Sequence, residues 1–169
     1  DPKVPFVNER FHADWTPDQK WRWQQNRAIV GHNLKIAWNL TRVANYYRVL
    51  ADEERYKNRG SAAEQHELLA TDFLNLAKKL GDAMAIYGLD QVRGGCFDAV
   101  ERHPQPNVPT EFTWGNTKDF WQQEQGILAY LILFGATQEY RYLDLAREME
   151  IFWNACFLDH DNRGIFFRV

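Results

Sequence analysis

Between Asn33 and Asp52, apolar side chains return every third or fourth residue: Ile36, Ala37, Leu40, Val43, Ala44, Tyr47 and Leu50. A chain with this spacing buries one stripe of a helix and leaves the rest to water. The polar run DEERYKNRG closes the segment. Ser61 and Glu64 then form a capping-box pattern ahead of a second stripe at Leu69, Phe73, Leu76, Leu80 and Met84. Two such helices joined by a short polar loop are expected to pack antiparallel.

The same logic reads the rest of the chain. Thr16-Pro17 with Gln19 predicts a helix start, and a short helix or turn follows through Trp21 and Trp23. CFDAVE at 96–101 alternates as a short strand between Gly94-Gly95 and the Pro-rich RHPQPNVPTEF, so a small hairpin and a long loop are expected there. Thr117 is the expected cap of a third helix through Trp121, Ile127, Tyr130, Leu131 and Phe134, apolar on nearly every side. A fourth follows a break at 135–137 and carries Tyr142, Leu145, Ala146, Met149, Phe152, Trp153 and Cys156. The closing LDHDNRGIFFRV reads as a turn and a strand-like run. Helix pair, hairpin, helix pair, hairpin is the pattern of an all-α solenoid or toroid, read as a single domain over 1–169.

Composition narrows the partners. The net charge of −3 comes from interspersed residues of both signs, with no basic stripe to neutralise phosphates, so neither nucleic acid nor a membrane surface is expected. The longest apolar run, ILAYLILF, is far below the ~20 residues of a membrane-spanning helix. A soluble, cytoplasmic protein is the expectation, with no targeting signal visible at Asp1. Cys96 and Cys156 lack metal-site or disulfide spacing and read as two reduced, packed thiols. Aromatic residues make up 15% of the chain, which means a large core or a cleft with flat walls of the kind that binds sugars.

Five stretches occur in an order that carries further information: ERFHADWTP, GHNLKIAWNL, GGCFDAV, KDFWQQEQGILAYL and FLDHDNRGIFF. They resemble, in sequence, the landmarks of the N-acylglucosamine 2-epimerase and cellobiose 2-epimerase superfamily, whose signatures look like GHxxExxW, GGxY, KxWWxQAE and DxxxGxWF. The resemblance implies an (α/α)6 barrel of six inner and six outer helices around a central sugar pocket. Four long helices with short β-hairpins would be part of such a barrel, an internal or carboxyl-side segment. A homodimer, or the remaining part of the barrel, would complete it.

The implied activity is a sugar 2-epimerase or aldose–ketose isomerase working without a cofactor on a free reducing sugar. A proton leaves the carbon next to a carbonyl and is returned to the enediolate, a task suited to histidine. His32 matches the histidine of GHxxE; the family's second histidine lies after the last landmark, beyond Val169. The family's glutamate three residues later is Lys35 here, and the glutamate closing KxWWxQAE is Gln125. Lys35 beside His32 would favour a neutral imidazole acting as base. Trp38, Lys118 and Trp121 match the remaining landmark positions, with Phe120 in the other aromatic place, and the substrate-binding set implied is Lys35, Trp38, Lys118, Trp121 and Gln125.

Plainer roles stay open for each: a helix-start hydrogen bond for His32, a solvated charge for Lys35, packing for Trp121 and Phe120, buttressing for Trp38. Asp159, His160 and Asp161 read as turn chemistry with Asn162 and Gly164 rather than as metal ligands. Two other functions compete, a non-catalytic carbohydrate-binding or scaffold segment and an α/α-barrel glycoside hydrolase. The hydrolase requires two carboxylates facing each other across the sugar, and Glu53-Glu54 and Asp98-Glu101 are the candidates.

Overall fold

The computed structural model describes residues 6–21, 27–102 and 117–169. Strand β1 (Arg27–Ile29) runs directly into helix α1 (Val30–Tyr56), and a three-residue turn leads to α2 (Gly60–Tyr87). Strand β2 (Ala99–Glu101), helices α3 (Phe120–Thr137) and α4 (Tyr140–Cys156), and the short strands β3 (Leu158–Asp159) and β4 (Gly164–Ile165) follow. The turn at Trp23 and the Pro-rich loop after Arg102 fall outside the described residues.

Helices α1 and α2 pack antiparallel. Tyr47 stacks on Phe73 at 5.7 Å between ring centroids, and near the connecting turn Arg55 pairs with Glu67 at 2.8 Å. Their buried seam is built from alanine: Ala37, Ala44 and Ala51 on α1 and Ala63, Ala70 and Ala77 on α2, every one at or below 2% exposure. A small residue every seven positions keeps one face on the seam and lets two helix backbones approach closely. The expected stripes hold in part: Ala37, Ala44, Leu80 and Met84 are buried, whereas Ile36, Val43, Leu69 and Leu76 are exposed and Leu34, Thr41, Ala51, Ala63, Ala70 and Ala77 are buried in addition, with the Thr41 hydroxyl donating to the Ala37 carbonyl.

Helix α3 lies against α1 and α4. Gly126 leaves room for Met149 and Leu34, and the Tyr130 hydroxyl donates to the Gly81 carbonyl on α2. Tyr130 stacks on Tyr142, which donates to Asp82, so one polar-tipped aromatic pair ties α2, α3 and α4 together. Helix α3 is covered on most of its circumference, and Glu124, Leu128 and Leu131 form a narrow open face.

The expected helix starts are also corrected. Residues 11–17 form an irregular loop closed by a Phe11–Pro17 bridge, in which the Thr16 hydroxyl donates to Asp14 instead of capping a helix. Neither Ser61 nor Thr117 caps: the caps are Arg59 and Asp119, without side-chain bonds, and the Thr117 hydroxyl is spent on Asp98. The third helix runs through Thr137 and ends at Gln138, whose φ of 59° is left-handed.

Of the two expected hairpins, the closing one forms as a strand pair, and the one at 96–101 is reduced to a single bridge. Leu89 bridges Cys96 through Gly94 and Gly95, which have positive φ, and β3 pairs with β4. The AVE strand pairs with β1, from a distant part of the chain, instead of within a local hairpin.

Candidate functional site

Helix α1 begins without a capping side chain. Its first amides are satisfied from elsewhere: the Val30 N–H donates to the Asp98 carbonyl (3.2 Å) and the Gly31 N–H to Gln122 Oε1 (2.7 Å). Unmatched donors at a helix start demand partners, and here Asp98, just ahead of β2, and Gln122 of α3 supply them. Gly31 is required sterically, since a Cβ there would sit 2.6 Å from the Trp121 ring and 2.8 Å from Gln122. His32 is therefore fixed in the first turn of α1, its ring tilted beside that of Trp121 at 5.4 Å.

The group facing His32 is not on its own helix. Glu9, in the lead-in, places Oε1 3.1 Å from His32 Nδ1. Two buried side chains hold the lead-in there. Asn33 Oδ1 accepts from the Val7 N–H (2.8 Å), and its Nδ2 donates to the Ile29 carbonyl (2.8 Å). Arg102 donates to the Val7 carbonyl (2.7 Å), to Asn8 Oδ1 (3.3 Å) and to the Arg27 carbonyl (3.2 Å).

Glu9 and His32 line a cleft of about 730 Å³ bounded by the lead-in, α1 and α2. Phe6, Phe11, Ile36, Leu40 and Leu76 give it apolar walls, and Lys35 and Lys79 add two ammonium groups. Among the described lining residues Glu9 is the one carboxylate. Such a site has an oriented imidazole, flat apolar surface and cationic polar contacts, which suits proton transfer on a small polar ligand.

The sequence-derived residues divide. His32 and Lys35 share the cleft, and Trp121 flanks the histidine. Trp38 and Gln125 meet each other further along the α1–α3 seam, where the indole N–H donates to Gln125 Oε1 at 2.8 Å and Arg42 lies over the ring. Lys118 lies elsewhere, 3% exposed, with Nζ donating to Asp90 (2.8 Å) and the Gly94 carbonyl (2.6 Å) and lying over Phe97 and Phe152. Phe120 packs against Trp153 and Phe167.

Asp98 is a hub behind the site, accepting from the Asp119 N–H, Gln122 Nε2 and the Thr117 hydroxyl. Burial pushes its carboxyl above the ordinary carboxylate range, against the pull of those donors. The Cys96 thiol is also pushed up, by burial and then by Asp98, which makes it a poor nucleophile. Asp159 accepts from the Asp161 and Asn162 N–H groups, the expected turn. Among the described residues no three His, Cys, Asp or Glu side chains cluster as metal ligands, and no helix is long and apolar enough to cross a membrane.

No protein-family model and no curated protein sequence matches the chain. Solved structures do. A D-mannose isomerase superposes with a TM-score of 0.65 at 19% identity over 97% of this chain and 34% of its own. A sugar epimerase from a ruminal bacterium gives 0.66 at 12% identity over 100% of this chain and 35% of its own. A cellobiose 2-epimerase from Spirochaeta thermophila DSM 6192 gives 0.66 at 14% identity over 99% and 33%. The chain shares their fold. Its four helices are a partial α/α toroid, and it spans about a third of the length of the solved structures it matches.

Sequence reasoning missed Glu9, Asn33 and Arg102, which lie far apart in the chain and belong to no common spacing. The one local signal was the Asn directly after His32, a polar residue on what becomes a buried helix face.

Proposed function

We propose that the protein carrying this chain is a sugar 2-epimerase or aldose–ketose isomerase that acts on a free reducing sugar, with His32 moving the proton at C2. What carries the reading is a solvent-facing imidazole at the edge of an aromatic and apolar cleft, one ring nitrogen facing a carboxylate. The sugar epimerases and isomerases that share the fold support the same chemistry.

With Nδ1 engaged by Glu9, Nε2 is the exchanging atom. It takes the C2 proton as the C–H electrons enter an enediolate. Returning that proton to C1 on the same face gives the ketose and needs one acid/base group. Returning it to C2 on the opposite face gives the epimer and needs a second group there. Lys35 and the face of Trp121 are the substrate contacts in this reading. Trp38, Gln125 and Lys118 support the site through the packing they make. The carbohydrate-binding alternative shares these contacts; the hydrolase reading gains no support from a described cleft lining with one carboxylate.

The experiment is exchange of the C2 hydrogen of aldoses with solvent deuterium in the intact protein, followed by NMR. His32→Ala is expected to reduce exchange by at least ~10²-fold, the scale of a lost acid/base group, while sugar binding followed by Trp fluorescence persists. Full exchange in the variant would remove His32 from the reaction. Binding without exchange in the wild type would favour the non-catalytic alternative.

A further inference from the structure

We infer that Glu9 is the positioning residue of His32: its carboxylate accepts the Nδ1–H and so fixes the tautomer that carries its lone pair on Nε2. The inference rests on the functional reading above only for the use made of Nε2.

An ion pair between two surface side chains ordinarily spends its attraction on ordering them. Here the ordering is done by the backbone. Val7 and Asn8, immediately before Glu9, are gripped from two sides by Asn33 and Arg102, exposed by 0% and 2%. Asn33 is the next residue after His32, and its Nδ2 is tied to Ile29. The lead-in is thus measured off against the same helical turn that carries the histidine. Arg102 fixes the other side through a planar fork that also reaches Arg27 in β1, a geometry that Lys does not reproduce. Helix α1 itself offers no carboxylate at the next turn, where Lys35 stands.

A neutral imidazole carries its proton on either nitrogen, and the partner of one nitrogen decides the state of the other. A carboxylate can only accept. Opposite Nδ1 at 3.1 Å it selects the Nδ1–H form, which leaves Nε2 as the base. Glutamine at position 9 would still offer an amide oxygen, whereas alanine would offer nothing.

The test is the tautomer of His32 read from imidazole 15N shifts in the intact protein, at a pH above the titration of the ring. The Nδ1–H form is expected to predominate in the wild type and to persist in Glu9→Gln. In Glu9→Ala the Nε2–H form is expected to become the major one, and in Arg102→Lys the two forms to mix. Where exchange of the C2 hydrogen is measurable, Glu9→Ala is expected to lower its rate about tenfold, with Glu9→Gln recovering most of the loss.

A wild type in the Nε2–H form overturns the inference without any variant needing to fold. So does a Glu9→Ala protein, with its melting transition intact, whose tautomer is unchanged. Tautomer control by Glu9 in a protein that exchanges no sugar hydrogen would leave this inference standing and overturn the functional reading instead.

Discussion

At the scale of single residues the site depends on space as much as on charge. Gly31 lies where the Trp121 ring and Gln122 press against the first turn of α1, and Gln122 is held in place by its bonds to both Gly31 and Asp98. Gly31→Ala is therefore expected to cost about 1–3 kcal/mol, the range for overpacking a filled site, and urea unfolding would measure it. On the proposed function, the same variant should tilt the turn carrying His32 and reduce sugar-hydrogen exchange more than a comparable loss of stability elsewhere.

The glycine and histidine were legible as a pair because they are adjacent and sit in a recognisable stretch. Glu9 was not legible: nothing in ERFHADWTP marks it over Arg10 or Asp14 until the bonds of Asn33 and Arg102 fix which residue reaches the ring. Lys35 shows the limit from the other side. It lines the cleft, but the carboxylate beside His32 comes from across it.

At the scale of elements, the four helices were legible from apolar spacing, and their faces only in part. The rule that large apolar residues mark the buried stripe picked out Ile36, Val43 and Leu76, yet the α1–α2 seam is made of alanine at seven-residue intervals. Alanine is a strong helix former with a weak apolar signal, so a repeat of alanines looks like propensity rather than packing. Helix starts misled for a related reason. Capping residues were sought beside the helices, whereas α1 takes its caps from Asp98, just ahead of β2, and from α3.

The seam makes a sharp expectation. Ala70 lies at its centre and is fully buried, so Ala70→Leu has to force two helix backbones apart and is expected to destabilise the fold by about 1–3 kcal/mol in denaturant unfolding. Leu69→Ala, one residue away on an exposed face, should change stability by no more than about 0.5 kcal/mol.

At the scale of the whole molecule, two buried carboxyl groups give the fold opposite responses to acid. Asp90 lies in the turn between β-bridged Leu89 and Cys96, paired with Lys118 ahead of α3; the two side chains are 8% and 4% exposed. Burial raises the Asp90 carboxyl, but the Lys118 ammonium and the Arg93 and Val92 N–H groups outweigh it and hold it below its ordinary 3.8. A lowered folded value means that the unfolded chain binds the proton first, so the stabilisation is complete above pH 3.8 and is lost as pH falls through the folded value. Asp98 has the opposite sign: its raised value lets the folded chain hold the proton more tightly, so its contribution falls as pH rises through the window above 3.8.

Asp90→Asn separates the two. At pH 7 it leaves the Lys118 ammonium buried opposite a neutral amide, and a loss of about 3 kcal/mol is expected. As pH falls below 3.8 and through the lowered folded value, the wild-type carboxyl is itself neutralised, so the unfolding curves of the two proteins should converge. Asp98 is unaltered in the variant and adds the same slope to both. A gap that stayed constant from pH 7 down to full acid titration of the chain would mean that the Asp90–Lys118 bond contributes through shape alone and that its charge is idle.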